Sequence, residues 1–204
     1  MTSVTIGLPE PHTEDPNHIG RRWRTGVVLL IVADGAFVAS LVFTYFYLRG
    51  LNTQKAWVAP DQTTAAIWAS WLITGVLVLS AVVYRLAARA IQAGNEARFV
   101  GATALALLLL AIDVVIQVIQ LVTFPFGIDT SAYSSTVYTM AGANLFHLLL
   151  TVFLAVAMVN RGRAHIYSAT SNWQVRLVGM WWAWVAAAAI LTAFASSFVA
   201  SPNH

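Results

Sequence analysis

Asp34, Asp113 and His147 are the titratable side chains that fall inside long apolar runs of this 204-residue sequence. An ionisable group in such a run is strongly penalised by desolvation, so each needs a partner or a task. Asp113, Gln117 and Gln120 recur at i, i+4 and i+7, which puts them on one helix face. Asn144, His147 and Thr151, at i, i+3 and i+7, make a second polar stripe. Such stripes support two chemistries. One is hydrogen bonding between helices, worth about 0.5–2 kcal/mol per contact in a membrane; the other is a relay that passes a proton or ion. Asp34 stands apart, among Val32, Ala33, Gly35 and Phe37, none of which can satisfy it. It reads either as a neutral carboxyl hydrogen-bonded to a neighbouring helix or as a group that handles protons.

Metal and nucleophile chemistry find little support. The sequence has no cysteine, which excludes disulfides, thiolate zinc sites, iron–sulfur clusters and thiolate copper. Only His147 among the histidines falls in an apolar run; His12, His18, His165 and His204 fall in tails or a loop. Haem needs a placed axial ligand and a copper centre two or three histidines. No Gly-rich phosphate loop or Ser/His/Asp constellation is present. The chain is expected to hold no redox cofactor and to be non-catalytic by itself.

The residues that must position these groups are overwhelmingly apolar: 59% are hydrophobic and 9% charged. A soluble domain carries about a quarter charged residues, so most of this surface is expected to face lipid. Five windows reach the roughly 20 residues needed to cross a bilayer: Gly26–Leu48, Ala65–Leu86, Val100–Thr123, Val137–Val159 and Leu177–Val199. Helices are the open-ended way to satisfy backbone groups in lipid, which predicts an all-α, polytopic bundle of five transmembrane helices. Residues 1–24 read as a polar tail without the character of a cleavable signal, and 25–204 as one transmembrane domain without internal repeats.

Cations set the orientation. Of 11 Lys and Arg, nine (Arg21, Arg22, Arg24, Arg85, Arg89, Arg98, Arg161, Arg163, Arg176) fall on one side of the five spans and two, Arg49 and Lys55, on the other. The positive-inside rule then places the N-terminus in the cytoplasm and the C-terminus outside. Trp23, Trp57, Trp68 and Trp173 lie near the predicted boundaries, where interfacial aromatics belong. The cations are spread over loops rather than gathered in one patch, which argues against a nucleic-acid partner. Trp181, Trp182 and Trp184 read as packing residues. Ala186, Ala189, Ala193 and Ser196 or Ser197 form a small-residue face suited to close helix approach, toward a partner subunit or within the chain.

The ordered set of features resembles subunit III of the haem–copper terminal oxidases, in the five-helix form that lacks the first two helices of the long form. Leu29 to Phe37, running on to Phe43-Thr44-Tyr45-Phe46-Tyr47-Leu48-Arg49, is similar to the family's carboxylate-bearing, aromatic-rich opening helix, with Asp34 where the family has its intramembrane acid. Trp57-Val58-Ala59-Pro60 resembles the Trp-Pro-Pro segment that follows, and Gln117-Val118-Ile119-Gln120 the Gln-x-x-Glu of the next-but-one helix. Tyr133 to Tyr138, then Gly142 to His147, resemble Tyr-x-Ser-x-Phe-Tyr followed by Gly-x-His-Gly-x-His. The last span, with Trp182, is similar to the family's Trp-x-Trp-His-Phe-x-Asp helix. The chain looks like a divergent member: Gln120 replaces an acid, Asn144 replaces the first His of the pair, and Ala183 and Ala186 stand where the last helix has His and Asp.

The resemblance covers about residues 26–199 and implies an accessory subunit in the plasma membrane of a prokaryote. Such a subunit binds no metal, packs against catalytic subunit I and other oxidase subunits, holds phospholipid and aids sustained turnover. Haem and copper are then expected in the partner, and Asp34 becomes the candidate for proton uptake. The alternatives are a self-contained transporter with Asp34, Asp113 and His147 as a relay, or a subunit III-like component of a nitric oxide reductase. Depth matching adds an expectation that does not come from the family. Asp113 and His147 each lie about 15 Å below the outer surface on antiparallel spans, and Gln117 and Asn144 about 9–10 Å. The spacing therefore predicts Asp113 hydrogen-bonded to His147, and Gln117 to Asn144.

Overall fold

The computed structural model describes residues 16–52 and 57–200. Glu10, His12, Glu14, Asp15, Lys55 and His204 lie outside the described residues, as does the side chain of His18. Five helices follow in order: α1 (Pro16–Leu51), α2 (Ile67–Gln92), α3 (Glu96–Val122), α4 (Ala132–Arg163) and α5 (Trp173–Ser196). All five are long and apolar enough to cross a membrane, so the chain is a multi-pass all-α membrane protein.

The helix ends follow local chemistry. α1 opens on Pro16, whose missing N–H would be unpaired there anyway, so residues 16–24 of the segment read as a tail are helical. At 36 residues, or about 54 Å, α1 overruns the bilayer core. Gly94, at φ 78°, makes the left-handed turn that ends α2, and Asn95 then caps α3 by accepting from the Arg98 amide. This short turn forces α2 and α3 into an antiparallel pair. Ser131 and Ser134 form a reciprocal capping box that starts α4 ahead of the predicted Val137.

The described residues pack as a ring in the order α1, α5, α2, α3, α4 and back to α1, with α5 also touching α4. α5 is the most enclosed, with 44% of its most apolar stretch buried, whereas in α1 that share is 6%. The small-residue face of α5 is spent inside the chain: Ala186, Ala189 and Ala193 are buried, and Thr74 Oγ1 of α2 donates to the Ala189 carbonyl at 3.4 Å.

Trp57 departs from its reading as an interfacial aromatic. It is buried in a second core at the α4 start, edge-on to Tyr45 at 5.0 Å and Tyr133 at 5.6 Å. Its indole N–H donates to the Val199 carbonyl at 2.7 Å. The loop it sits on folds inward because the aromatic ends of α1 and α4 offer it apolar surface. Trp23 and Trp68 remain largely exposed, at 59% and 70%.

Candidate functional site

Asp34 finds its partners on the two helices that flank α1. His147 Nε2 of α4 lies 2.9 Å from Asp34 Oδ1, and the Trp184 indole of α5 donates to Oδ2 at 2.6 Å. His147 is buried, and the Asp34 side chain keeps 15% exposure at the edge of the bundle. Gly35 lies against the same indole, where a Cβ would stand in van der Waals contact at 3.4 Å from Trp184. His147 is backed by α5 as well. Its ring meets Trp181 at 6.0 Å, and the Trp181 indole donates at 3.2 Å to Thr151 Oγ1, which donates in turn to the His147 carbonyl at 2.7 Å.

The arrangement places the Asp34 carboxyl between an imidazole nitrogen and an indole N–H donor in a low-dielectric setting, where hydrogen bonds are strong. It can hold one proton between Oδ1 and Nε2. Trp184 anchors the other oxygen, so the carboxylate cannot turn away from the imidazole. Sequence reasoning missed Trp184 and Trp181 as site residues. The signal for them is general: an indole N–H inside a membrane needs an acceptor, and three adjacent ones imply three acceptors on other helices. Trp182 supplies the third case, donating to Ser80 Oγ of α2 at 3.0 Å.

A second polar chain crosses the bundle nearer the cation-poor end, where α3 finishes and α4 begins. Asn144 Nδ2 donates to Gln117 Oε1 at 2.7 Å, Gln117 Nε2 to Gln120 Oε1 at 2.8 Å, and Gln120 Nε2 to Ser70 Oγ at 3.2 Å. It joins α4, α3 and α2 and lines a cavity of about 40 Å³, room for two or three waters at roughly 15 Å³ of centre volume each. The Gln117–Asn144 bond is the one that depth matching predicts.

The Asp113–His147 bond is not formed. Among the described residues neither buried Asp113 carboxyl oxygen has a hydrogen-bond partner. The reason is rotational. His147 is three residues past Asn144, so it is turned about 60° around the α4 axis. Asn144 therefore meets α3 while His147 meets α1. Equal depth brought Asp113 and His147 to the same level but not to the same side. Among the described residues no group of three or more His, Cys, Asp or Glu side chains gathers to hold a metal.

A family model described as cytochrome c oxidase subunit III matches residues 11–186. Cytochrome c oxidase subunit 3 of Prototheca wickerhamii is 26% identical over 168 residues, 76% of this chain and 60% of that protein. Cytochrome c oxidase subunit 3 of Arabidopsis thaliana is 26% identical over 176 residues, 79% of this chain and 62% of that protein. The chain thus spans about three fifths of the length of the curated relatives it matches.

Proposed function

This chain belongs to the cytochrome c oxidase subunit III family, and from that premise we propose that it is an accessory subunit of a haem–copper respiratory oxidase. In this reading it packs on the catalytic subunit I, which carries the haem and copper, and itself holds phospholipid and supports proton uptake. Asp34 is the proton-handling residue, and His147 and Trp184 position it. The observation that carries the assignment is the family match across residues 11–186. The Asp34–His147–Trp184 cluster adds a partly exposed carboxyl with its hydrogen-bond partners fixed. A prokaryotic plasma membrane with the N-terminus inside is the orientation that the nine-to-two division of cations favours. The transporter alternative needs Asp113 joined to the Asp34–His147 pair, yet neither Asp113 carboxyl oxygen has a hydrogen-bond partner among the described residues.

Affinity purification through a tag on this chain, in mild detergent, tests the reading. A haem-containing multi-helix subunit is expected to accompany it, together with oxygen consumption on a reduced electron donor. A haem-free homo-oligomer or monomer, from cells that express the neighbouring genes, would overturn the assignment.

A further inference from the structure

α1 is attached to a ring that closes without it. Among the described residues α1 packs on α4 and α5 alone, and α4 and α5 also touch each other, so α2, α3, α4 and α5 form a closed circuit of their own. From α1 the fully buried apolar side chains are Val38 and Tyr45. Its side-chain hydrogen bonds to the other helices and their ends fall at two levels. Asp34 holds the middle through His147 and Trp184. Tyr45 and Arg49 hold the cation-poor end, and both bond to the short segment that follows α5, residues 197–200.

That segment offers acceptors because α5 stops. Ser196 Oγ and Ser197 Oγ both donate to the Ala193 carbonyl, at 3.0 and 2.8 Å, and the Phe198 N–H reaches the Ala195 carbonyl at 3.2 Å. Past that turn the carbonyls of Phe198, Val199 and Ala200 have no helical N–H to accept from, a costly state at the edge of an apolar layer. Side chains supply the donors. The Tyr45 hydroxyl donates to the Phe198 carbonyl at 3.3 Å, the Trp57 indole to Val199 at 2.7 Å and Arg49 Nε to Ala200 at 2.7 Å. The Phe198 ring packs beside Phe46 at 5.8 Å and against the Arg49 guanidinium at 5.9 Å. From the other side the Trp71 indole of α2 donates to Ser197 Oγ at 3.1 Å. The segment is thus tied to the four-helix circuit at Ser197 and presents a row of carbonyls to α1 and the loop after it. Water at the helix ends can replace each donor, so a bond of this kind is worth about fivefold in an opening equilibrium.

We propose that residues 197–200 are a latch: they hold the cation-poor half of α1 on the α2–α5 circuit, and when they let go that half lifts away while the other four helices stay packed. Asp34 is the next attachment along α1, so release shifts the load to its bonds with His147 and Trp184. The latch concerns the motion of this chain and does not depend on which complex the chain joins.

Hydrogen–deuterium exchange read by mass spectrometry, on the chain in nanodiscs with the subunits that accompany it, tests the latch. Exchange of a protected amide follows the equilibrium of the opening that exposes it. In a chain truncated after Ser197 the amides of residues 41–51 should exchange on the order of 25-fold faster, from two lost bonds to α1 at about fivefold each, with residues 103–117 of α3 unchanged. Tyr45→Phe removes one donor, keeps the ring, and should accelerate the same amides about fivefold. Unchanged exchange of residues 41–51 in the truncated chain overturns the proposal. So does an equal acceleration in α3, which would make the segment a general stabiliser of the bundle. If the truncated chain fails to assemble, Tyr45→Phe decides alone, and exchange no faster than in the wild type overturns the latch.

Discussion

Asp34 and Asp113 are both carboxyls inside the bundle, and their surroundings are opposite. Asp34 accepts from Trp184 and pairs with His147, while Asp113 is fully buried and accepts from nothing. Substitution should therefore act in opposite directions. Asp34→Ala strands an imidazole and an indole N–H, and is expected to lower stability by about 1–3 kcal/mol. Asp113→Val removes a buried polar group with no compensating bond and nearly preserves volume, so it should be neutral or stabilising by up to about 3 kcal/mol. Thermal unfolding of the two variants beside the wild type measures this. A larger loss at Asp113 than at Asp34 would show that the Asp113 carboxyl serves a partner of its own. Both acids were legible in the sequence as costly groups. Which one would be satisfied was not, because Asp34's partners come from α4 and α5, over a hundred residues away, and nothing local in α1 announces them.

Each helix is held by a contact that its own sequence marks only faintly. α5 stitches the ring together through successive indoles, with Trp181 bonded to α4, Trp182 to α2 and Trp184 to α1. The five helices could be read from hydrophobic run length alone, and Gly94, Asn95 and Ser131 mark the end of α2 and the starts of α3 and α4. The ring order could not, since run length carries no information about which faces meet. Gly162 illustrates the point. In sequence it looks like loop punctuation between Arg161 and Arg163, yet it lies within α4, buried, where α3 crosses. A Cβ on it would come 2.9 Å from Phe99 Cε1 and 3.0 Å from Val100 Cγ2. Phe99 is fully buried, so it cannot swing aside. Gly162→Ala should thus force α3 and α4 apart at this end despite the better helix propensity of alanine, with a net loss of about 1–3 kcal/mol. Thermal unfolding reads the outcome, with Gly101→Ala as control, where nothing lies within 4 Å of the added methyl. A Gly162→Ala variant as stable as the control would mean that the crossing has slack.

The whole molecule presents one cation-rich and one cation-poor end, an asymmetry that favours the cation-rich end as the cytoplasmic one. Its consequences for function depend on that orientation. The Asn144–Gln117–Gln120 chain lies toward the outside only if the α1 start is cytoplasmic. The sequence is unusually convenient for a direct test because it contains no cysteine. Ala97, exposed in the first turn of α3, marks the cation-rich end, and Asp129, exposed in the loop before α4, marks the opposite one. Neither side chain takes part in the polar clusters described above, so a single cysteine at either place should be tolerated. In intact cells a membrane-impermeant maleimide is expected to label Asp129→Cys, and to label Ala97→Cys only after lysis. The basis is the nine-to-two division of cations, where each misplaced Lys or Arg opposes translocation and the bias accumulates along the chain. Labelling of Ala97→Cys in intact cells, with Asp129→Cys protected, would invert the topology. It would turn the Asp34 side of the bundle toward the opposite compartment.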